Sequence, residues 1–282
     1  LSEWQNDNPH LLVHTSGSTG KPKQLWVEKE RMLNSARITC DFLGLQPDDT
    51  ALLCMPLDYI AGKMVVVRSL ERRMHLLSVT PSGHPLSDAS LSQLAVPDEE
   101  ITFAAMVPLQ VYNSLQVPEE HERLRRIRHL IIGGGAIDER LAEALHDFPH
   151  AVWSTYGMTE TLSHIALRRL NGPDASDWYR PFDGVKTRLN SDGCLVIDAP
   201  AVCPGTLVTN DRAELRSYGR QDNATASCFR ILGRKDNVID SGGIKIQIEE
   251  VENRLRPILT GGFAITSCPD EQFGEAVVLL TT

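Results

Sequence analysis

LLVHTSGSTGKPKQ, residues Leu11–Gln24, begins as a strand and continues as a loop suited to holding an anion. The apolar run Leu11-Leu12-Val13 reads as a buried strand. Four hydroxyl residues, two glycines and two lysines follow within Thr15–Lys23. Glycines free backbone N–H groups to point into one concavity, hydroxyls add donors, and Lys21 and Lys23 supply fixed charge. Such a loop is an oxyanion cradle, most naturally for a polyphosphate. It is not a Walker A loop, because G-x-x-x-x-G-K-[ST] counted from Gly17 needs glycine where Pro22 stands.

Outward from this loop, short apolar runs at 11–14, 50–54, 74–79, 101–107, 128–133 and 151–154 alternate with helical patterns. The helical patterns cover Glu28–Leu43, Ile60–Leu70, Pro108–Leu115 and Asp138–Phe148. Strands separated by helices imply βαβ units and a mostly parallel sheet. Ligands of such sheets bind in loops at the carboxyl ends of strands. Thr15–Lys23, Gly133–Ala136 and Tyr156–Glu160 each follow a strand, and they are expected to converge there.

From Asn171 onward Gly, Pro, Asp and Asn become frequent, and helical periodicity is lost until Ile248. A small β subdomain over about 172–233 fits that texture. "SGGIKIQIEEVENRL" then passes from a glycine turn through a short strand into an amphipathic helix. The expected fold class is α/β: a large N-terminal domain (1–233) with mostly parallel sheets and a small β subdomain, then a truncated small α+β C-terminal domain (234–282).

Composition excludes several classes of function. Net charge is −9, from 37 acidic and 28 basic residues, which argues against a nucleic acid or an anionic membrane as partner. No apolar run approaches the ~18–20 residues that span a bilayer. The longest, "MVVVRSL", is short and carries an arginine. Six cysteines, with no C-x-x-C pair and no histidine at metal-ligand spacing, suit reduced thiols of a cytoplasmic protein.

Read whole, Thr15-Ser16-Gly17-Ser18-Thr19-Gly20-Lys21-Pro22-Lys23 resembles the phosphate loop of the adenylate-forming superfamily, which comprises acyl-CoA synthetases, luciferases and adenylation domains. Four further segments fall in the family's order. "IIGGGAI" (Ile131–Ile137) resembles its adenine-side glycine loop, and "STYGMTET" (Ser154–Thr161) its Y-G-x-T-E motif. "TND" (Thr209–Asp211) resembles T-G-D, and "GRKDNVIDSGGIKIQIEEVE" (Gly233–Glu252) resembles the hinge and the start of the mobile C-terminal domain.

The resemblance implies roles, residue by residue. Thr15, Ser16, Gly17, Ser18, Thr19, Gly20, Lys21 and Lys23 would hold the β- and γ-phosphates of ATP. Gly134, Gly135 and Ala136 would let the backbone approach adenine, with Tyr156 and Gly157 beside it. Thr159 would contact the α-phosphate and Glu160 would hold Mg²⁺, a hard cation that takes carboxylate oxygen. Asp211 would accept from the ribose hydroxyls, Arg234 would add charge near ribose and phosphate, and Asp236 would be the hinge. Thr159, Glu160 and Lys21 would carry the catalytic share. The implied reaction joins a carboxylate to AMP with release of pyrophosphate, after which coenzyme A displaces AMP to give a thioester.

Three departures from the family pattern stand out. Asn210 replaces the glycine of T-G-D, an exchange expected to rely on asparagine's tolerance of left-handed backbone. Tyr59 stands where histidine commonly gates the acyl pocket. The chain also stops in "CPDEQFGEAVVLLTT", which matches the middle of the family's C-terminal domain, before the adenylation lysine. A fragment of a longer protein is the expectation, with a degenerate AMP- or acyl-AMP-binding relative as the alternative.

The stretches "PLDYIAGKMVVVRSL" and "YGMTETLSHIALRRL" resemble the menaquinone-pathway ligases that thioesterify o-succinylbenzoate. That acid has two carboxylates, one activated and one needing a counter-charge. Lys63 and His164 are the candidates beside Tyr59 in the acyl pocket. Lys63 either snorkels outward or meets an anion, since an unpartnered buried lysine is costly. A domain that loads an aryl or amino acid onto a carrier protein is the remaining alternative. The expected partners are therefore a small carboxylic acid, ATP and coenzyme A.

Overall fold

The computed structural model describes residues 2–14, 24–93, 100–219 and 225–281. The chain divides into two compact units, Leu1–Val185 with Ala199–Gly205, and Lys186–Asp198 with Thr206–Thr282.

The first unit opens with α1 (Ser2–Gln5), β1 (His10–His14) and β2 (Gln24–Glu28). β1 does not join the parallel sheet. It pairs antiparallel with β2 from His10↔Glu28 to His14↔Gln24, so paired strands flank the glycine-rich segment on both sides. A parallel bridge between His14 and Tyr59 ties the end of β1 to the segment that starts the second helix pattern.

The main sheet has seven strands in the order β4-β3-β5-β6-β7-β8-β9. Its strands are β3 (Thr50–Leu53), β4 (His75–Ser78), β5 (Phe103–Met106), β6 (His129–Ile132), β7 (Ala151–Gly157), β8 (His164–Arg169) and β9 (Arg180–Pro181). β4, β3, β5, β6 and β7 run parallel, and β8 and β9 add antiparallel strands at one edge. Every residue of β3 and β5 is buried, which is why "TALL" and "FAAM" read as continuous apolar runs without alternation. α2 (Lys29–Leu43) leads from β2 into β3, and the crossovers within the sheet carry α3 (Ile60–Arg72), α4 (Pro108–Gln116), α5 (Pro118–Arg126) and α6 (Glu139–Leu145). α2 ends where Gly44 turns left-handed at φ 70°, and α6 begins where the Asp138 carboxylate accepts from Leu141 N at 2.8 Å.

α5, "PEEHERLRR", is polar nearly all round and is absent from the apolar pattern of the sequence. It is anchored by Leu124 and by one buried carboxylate. Glu120 is 1% exposed and accepts from Ser87 Oγ (2.6 Å), Ser114 Oγ (2.8 Å) and His84 Nδ1 (2.8 Å). Burial pushes its carboxyl up, and the hydrogen bonds from Ser87, Ser114 and His84 outweigh that push, leaving it below its ordinary value.

The second unit holds two antiparallel sheets. One is β10 (Lys186–Leu189), β11 (Cys194–Asp198), β12 (Leu207–Gly219) and β13 (Thr225–Arg234), paired in that order. The other has the order β15-β14-β17-β16, from β14 (Val238–Ser241), β15 (Ile244–Gln247), β16 (Phe263–Asp270) and β17 (Gly274–Thr281), with α7 (Ile248–Leu255) following β15. This grouping differs from the boundary near Gly233–Asp236 expected from composition. β13 runs through Gly233 to Arg234 without a break, and the next segment grips it: Gln247 Nε2 donates to Arg234 O at 2.7 Å, and Arg234 N donates to Glu249 Oε1 at 3.2 Å.

The six cysteines are free thiols, as their spacing implied. Among the described residues no helix is long and apolar enough to cross a membrane.

Candidate functional site

The parallel strands β3, β5, β6 and β7 all end at one cavity of about 360 Å³. Met55, Pro56 and Tyr59 follow β3, Val107 follows β5, Gly133 and Gly134 follow β6, and Met158 and Thr159 follow β7. Of the three loops expected to converge at strand carboxyl ends, Gly133–Ala136 and Tyr156–Glu160 both reach this cavity, while Thr15–Lys23 lies outside the described residues. Ile60, Ala61 and Gly62 of α3, together with His14 at the end of β1, complete one side of the wall.

The backbone at the rim is tightly specified. Gly134 turns at φ +79°, a conformation that favours glycine. A Cβ on Gly157 would collide with the carbonyl oxygen of Ser163 and with His164 Cα, so only glycine lets the end of β7 lie against the start of β8. Gly62 brings α3 equally close to the backbone of Met55 and Pro56. Gln110 fastens three loops together: its amide donates to Cys54 O (3.1 Å) and Ser82 O (2.9 Å), and its oxygen accepts from Val107 N (3.2 Å). Leu162 sits in the wall at φ +66°, strained for a leucine, between the 3₁₀ turn Thr159–Thr161 and β8.

Of the expected residues, Gly134, Gly157, Thr159, Tyr59 and His164 line this cavity. Gly135 and Ala136 are exposed beside it. Tyr156 is half-buried, with its ring 5.8 Å from that of Tyr179. Glu160 is exposed on the 3₁₀ turn next to Thr159, and the described residues contain no ready-made cluster of three metal ligands. Thr15, Ser16, Gly17, Ser18, Thr19, Gly20, Lys21 and Lys23 lie outside the described residues.

Lys63 is not in the wall. Its Nζ lies 3.7 Å from the Glu3 carboxylate, so the anion it faces is one of this chain's own. Among the described residues the fixed cation of the cavity is Arg68. It is 2% exposed, its Nη2 donates to Ser163 Oγ at 2.6 Å, and its guanidinium carbon stands 6.0 Å from the Phe103 ring centroid. Its Nε is buried without a hydrogen-bond partner, and among the described residues no carboxylate pairs with it. Burial pulls its pKa from 12.5 down to about 10, which still leaves it charged at neutral pH. Sequence reasoning passed over Arg68, although an arginine inside "MVVVRSL" was the available signal.

The second unit gathers the remaining expected residues. Arg234 forks Asp236, with Nε–Oδ1 and Nη2–Oδ2 both at 2.8 Å, while its Nη1 lies 3.5 Å from Asp211 Oδ1. Arg234 holds the Asp236 carboxyl below its usual range. Asn210 lies within β12 and has no left-handed backbone, so its replacement of glycine needs no special tolerance.

Residues 1–205 match the AMP-binding enzyme family. The chain belongs to that family. Among AMP-binding enzymes of known structure, an acyl-CoA synthetase (AMP-forming)/AMP-acid ligase II-like protein from Dyadobacter fermentans is 33% identical, with a TM-score of 0.72 over 99% of this chain and 77% of that one. The o-succinylbenzoate coenzyme A synthetase of Bacillus subtilis, solved with ATP and magnesium ion, shares the fold at 22% identity and a TM-score of 0.68, over 96% of this chain and 59% of that one. The 2-succinylbenzoate–CoA ligase of Bacillus mycoides (strain KBAB4) is 26% identical over 97% of this chain, and the chain spans 60% of that relative's length.

Proposed function

We propose that this AMP-binding chain forms part of a cytoplasmic AMP-forming acid–CoA ligase whose acid is o-succinylbenzoate. The observation that carries the choice of acid is Arg68. A buried guanidinium with an unused N–H, in a largely apolar wall, is costly unless a ligand brings it an anion. A monocarboxylic acid would leave that cation unpaired once its carboxylate was turned toward the nucleotide. An aryl dicarboxylic acid supplies both ends. The names of the Bacillus relatives point to the same acid.

In this reading the loop Thr15–Lys23 cradles the phosphates of ATP, and Thr159 approaches the α-phosphate. Tyr156 and the Gly134–Ala136 segment flank the adenine, and Asp211 and Arg234 serve the ribose. The exposed Glu160 suits a magnesium ion that arrives with ATP, because Mg²⁺ is commonly held through one or two carboxylates plus substrate phosphates. That ion supplies charge neutralisation when bound. A carboxylate oxygen attacks the α-phosphorus, the bond to pyrophosphate breaks, and the acyl-adenylate is then opened by the CoA thiolate, releasing AMP. The protein's own share is positioning: Arg68 fixes the far carboxylate, and the Gly157–Thr159 turn fixes the near one beside the nucleotide.

ATP–pyrophosphate exchange by the purified protein tests this directly. Exchange that depends on o-succinylbenzoate, followed by consumption of CoA, is the expected result. Exchange driven equally well by benzoate, or product formed only on a phosphopantetheinyl protein, would overturn it.

A further inference from the structure

Four side chains form a continuous polar thread through the otherwise apolar wall behind the cavity. Arg68 on α3 donates to Ser163 Oγ at 2.6 Å, and Ser163 Oγ lies 3.2 Å from His164 Nδ1 at the start of β8. His164 Nε2 lies 3.1 Å from Thr39 Oγ1 on α2. Thr39 Oγ1 donates to the carbonyl of Ser35, one turn back, at 3.0 Å. We propose that His164 is a positioning residue for acid selection, acting through Ser163 to aim the Arg68 guanidinium. This rests on the reading of Arg68 as the partner of a second carboxylate.

Counting protons fixes the direction of every bond. A hydroxyl has one hydrogen to donate. That of Thr39 is committed to Ser35 O, so Thr39 Oγ1 can only accept from His164. His164 therefore carries its proton on Nε2, and Nδ1 is left as an acceptor. The Ser163 hydroxyl donates to Nδ1, which turns its lone pairs toward Arg68 Nη2. Each group is used once and none conflicts.

The arrangement holds only while the imidazole is neutral. His164 is 7% exposed; burial first, and then the charge of Arg68, drive its pKa well below the usual value. Around it stand Thr39 and Ser35 from α2, Arg68 from α3, Ser163, and the Phe182 ring at 5.5 Å, with no carboxylate paired to it among the described residues. A proton on Nδ1 would take the lone pair of Ser163 and turn the Ser163 hydrogen against the guanidinium. Arg68 would lose the acceptor that sets its angle.

Thr39→Val keeps shape and removes only the acceptor of Nε2–H, two links away from Arg68. Binding is measured by calorimetry with o-succinylbenzoate and with 3-benzoylpropionate, the same skeleton without the ring carboxylate. The expected result is a roughly tenfold weaker Kd for o-succinylbenzoate, with 3-benzoylpropionate and ATP within about twofold. Equal weakening for both acids, or none, overturns the inference. A second measurement does not depend on the acid: ¹⁵N shifts of the His164 ring in the unaltered protein. They are expected to report the neutral Nε2–H tautomer from pH 8 down to about 5.5. A neutral Nδ1–H tautomer, or titration near 6.5, overturns the inference by itself. If o-succinylbenzoate fails to bind the unaltered protein, the proposed substrate falls, and the ring shifts alone decide.

Discussion

Replacing Arg68 by methionine is expected to weaken o-succinylbenzoate binding about 100-fold or more while making the protein more stable. The two effects have one origin. A guanidinium that is 2% exposed, with an unpartnered Nε, carries a desolvation penalty that the folded protein alone does not recover. Methionine of similar reach removes it, and replacements of buried ionic groups by apolar ones commonly stabilise by about 1–4 kcal/mol. At roughly 2–4 °C per kcal/mol, the melting temperature should rise by several degrees. A carboxylate ligand loses its charge-assisted bond at the same time, worth about 2–5 kcal/mol at a desolvated site. Calorimetry and thermal unfolding on the same preparation decide the matter. A lower melting temperature with unchanged affinity would make Arg68 a structural group and remove the argument for a second carboxylate.

Glu120→Ala should act in the opposite sense on stability and should do so without touching the ligand. Three donors, from His84, Ser87 and Ser114, converge on one buried carboxylate and are left without it. Breaking a buried ionic cluster from one side typically costs about 3–5 kcal/mol, and urea midpoints would register it. The pH dependence has a fixed sign. Because the folded carboxyl sits below its ordinary value of 4.5, its contribution is complete above that pH and is lost as pH falls toward the folded value. His164 adds to the same acid side, earlier. Its imidazole stays neutral when folded and takes a proton near 6.5 when unfolded, so stability falls as pH drops below about 6.5. In Glu120→Ala the loss below pH 4.5 should shrink by the share of Glu120, leaving that of Asp236, and the loss below about pH 6.5 should remain.

These two side chains mark where the sequence stopped being readable. The parallel strands were legible because burial on both faces leaves unbroken apolar runs such as "TALL" and "HLII". The glycine of the Y-G-x-T-E segment was legible because close approach of backbone to backbone admits no other residue, as Gly157 illustrates. β2 and α5 were not. β2 buries only Val27 and leaves Trp26 60% exposed, so its alternation is faint, and α5 has charged or polar residues on nearly every face. Arg68 and Glu120 were missed for a related reason. Hydropathy patterning assigns a charge to the solvent side of a helix, and only tertiary neighbours reveal that Ser163 meets one and Ser87, Ser114 and His84 the other. Lys63 was the converse, a charge in an apolar stretch that faces a carboxylate of the chain itself, Glu3.

The free thiols described above also make a built-in labelling scheme. Thiolate attacks maleimide, and burial holds Cys40 near pKa 11 and Cys54 near pKa 12, so at pH 8 only about one in 10³ or fewer of those groups is ionised. Cys194 and Cys203 are buried as well, whereas Cys268 stands exposed on β16. A fluorophore offered at neutral pH should therefore settle first on Cys268, giving an optical reporter in the second compact unit of the native sequence, with no cysteine added or removed.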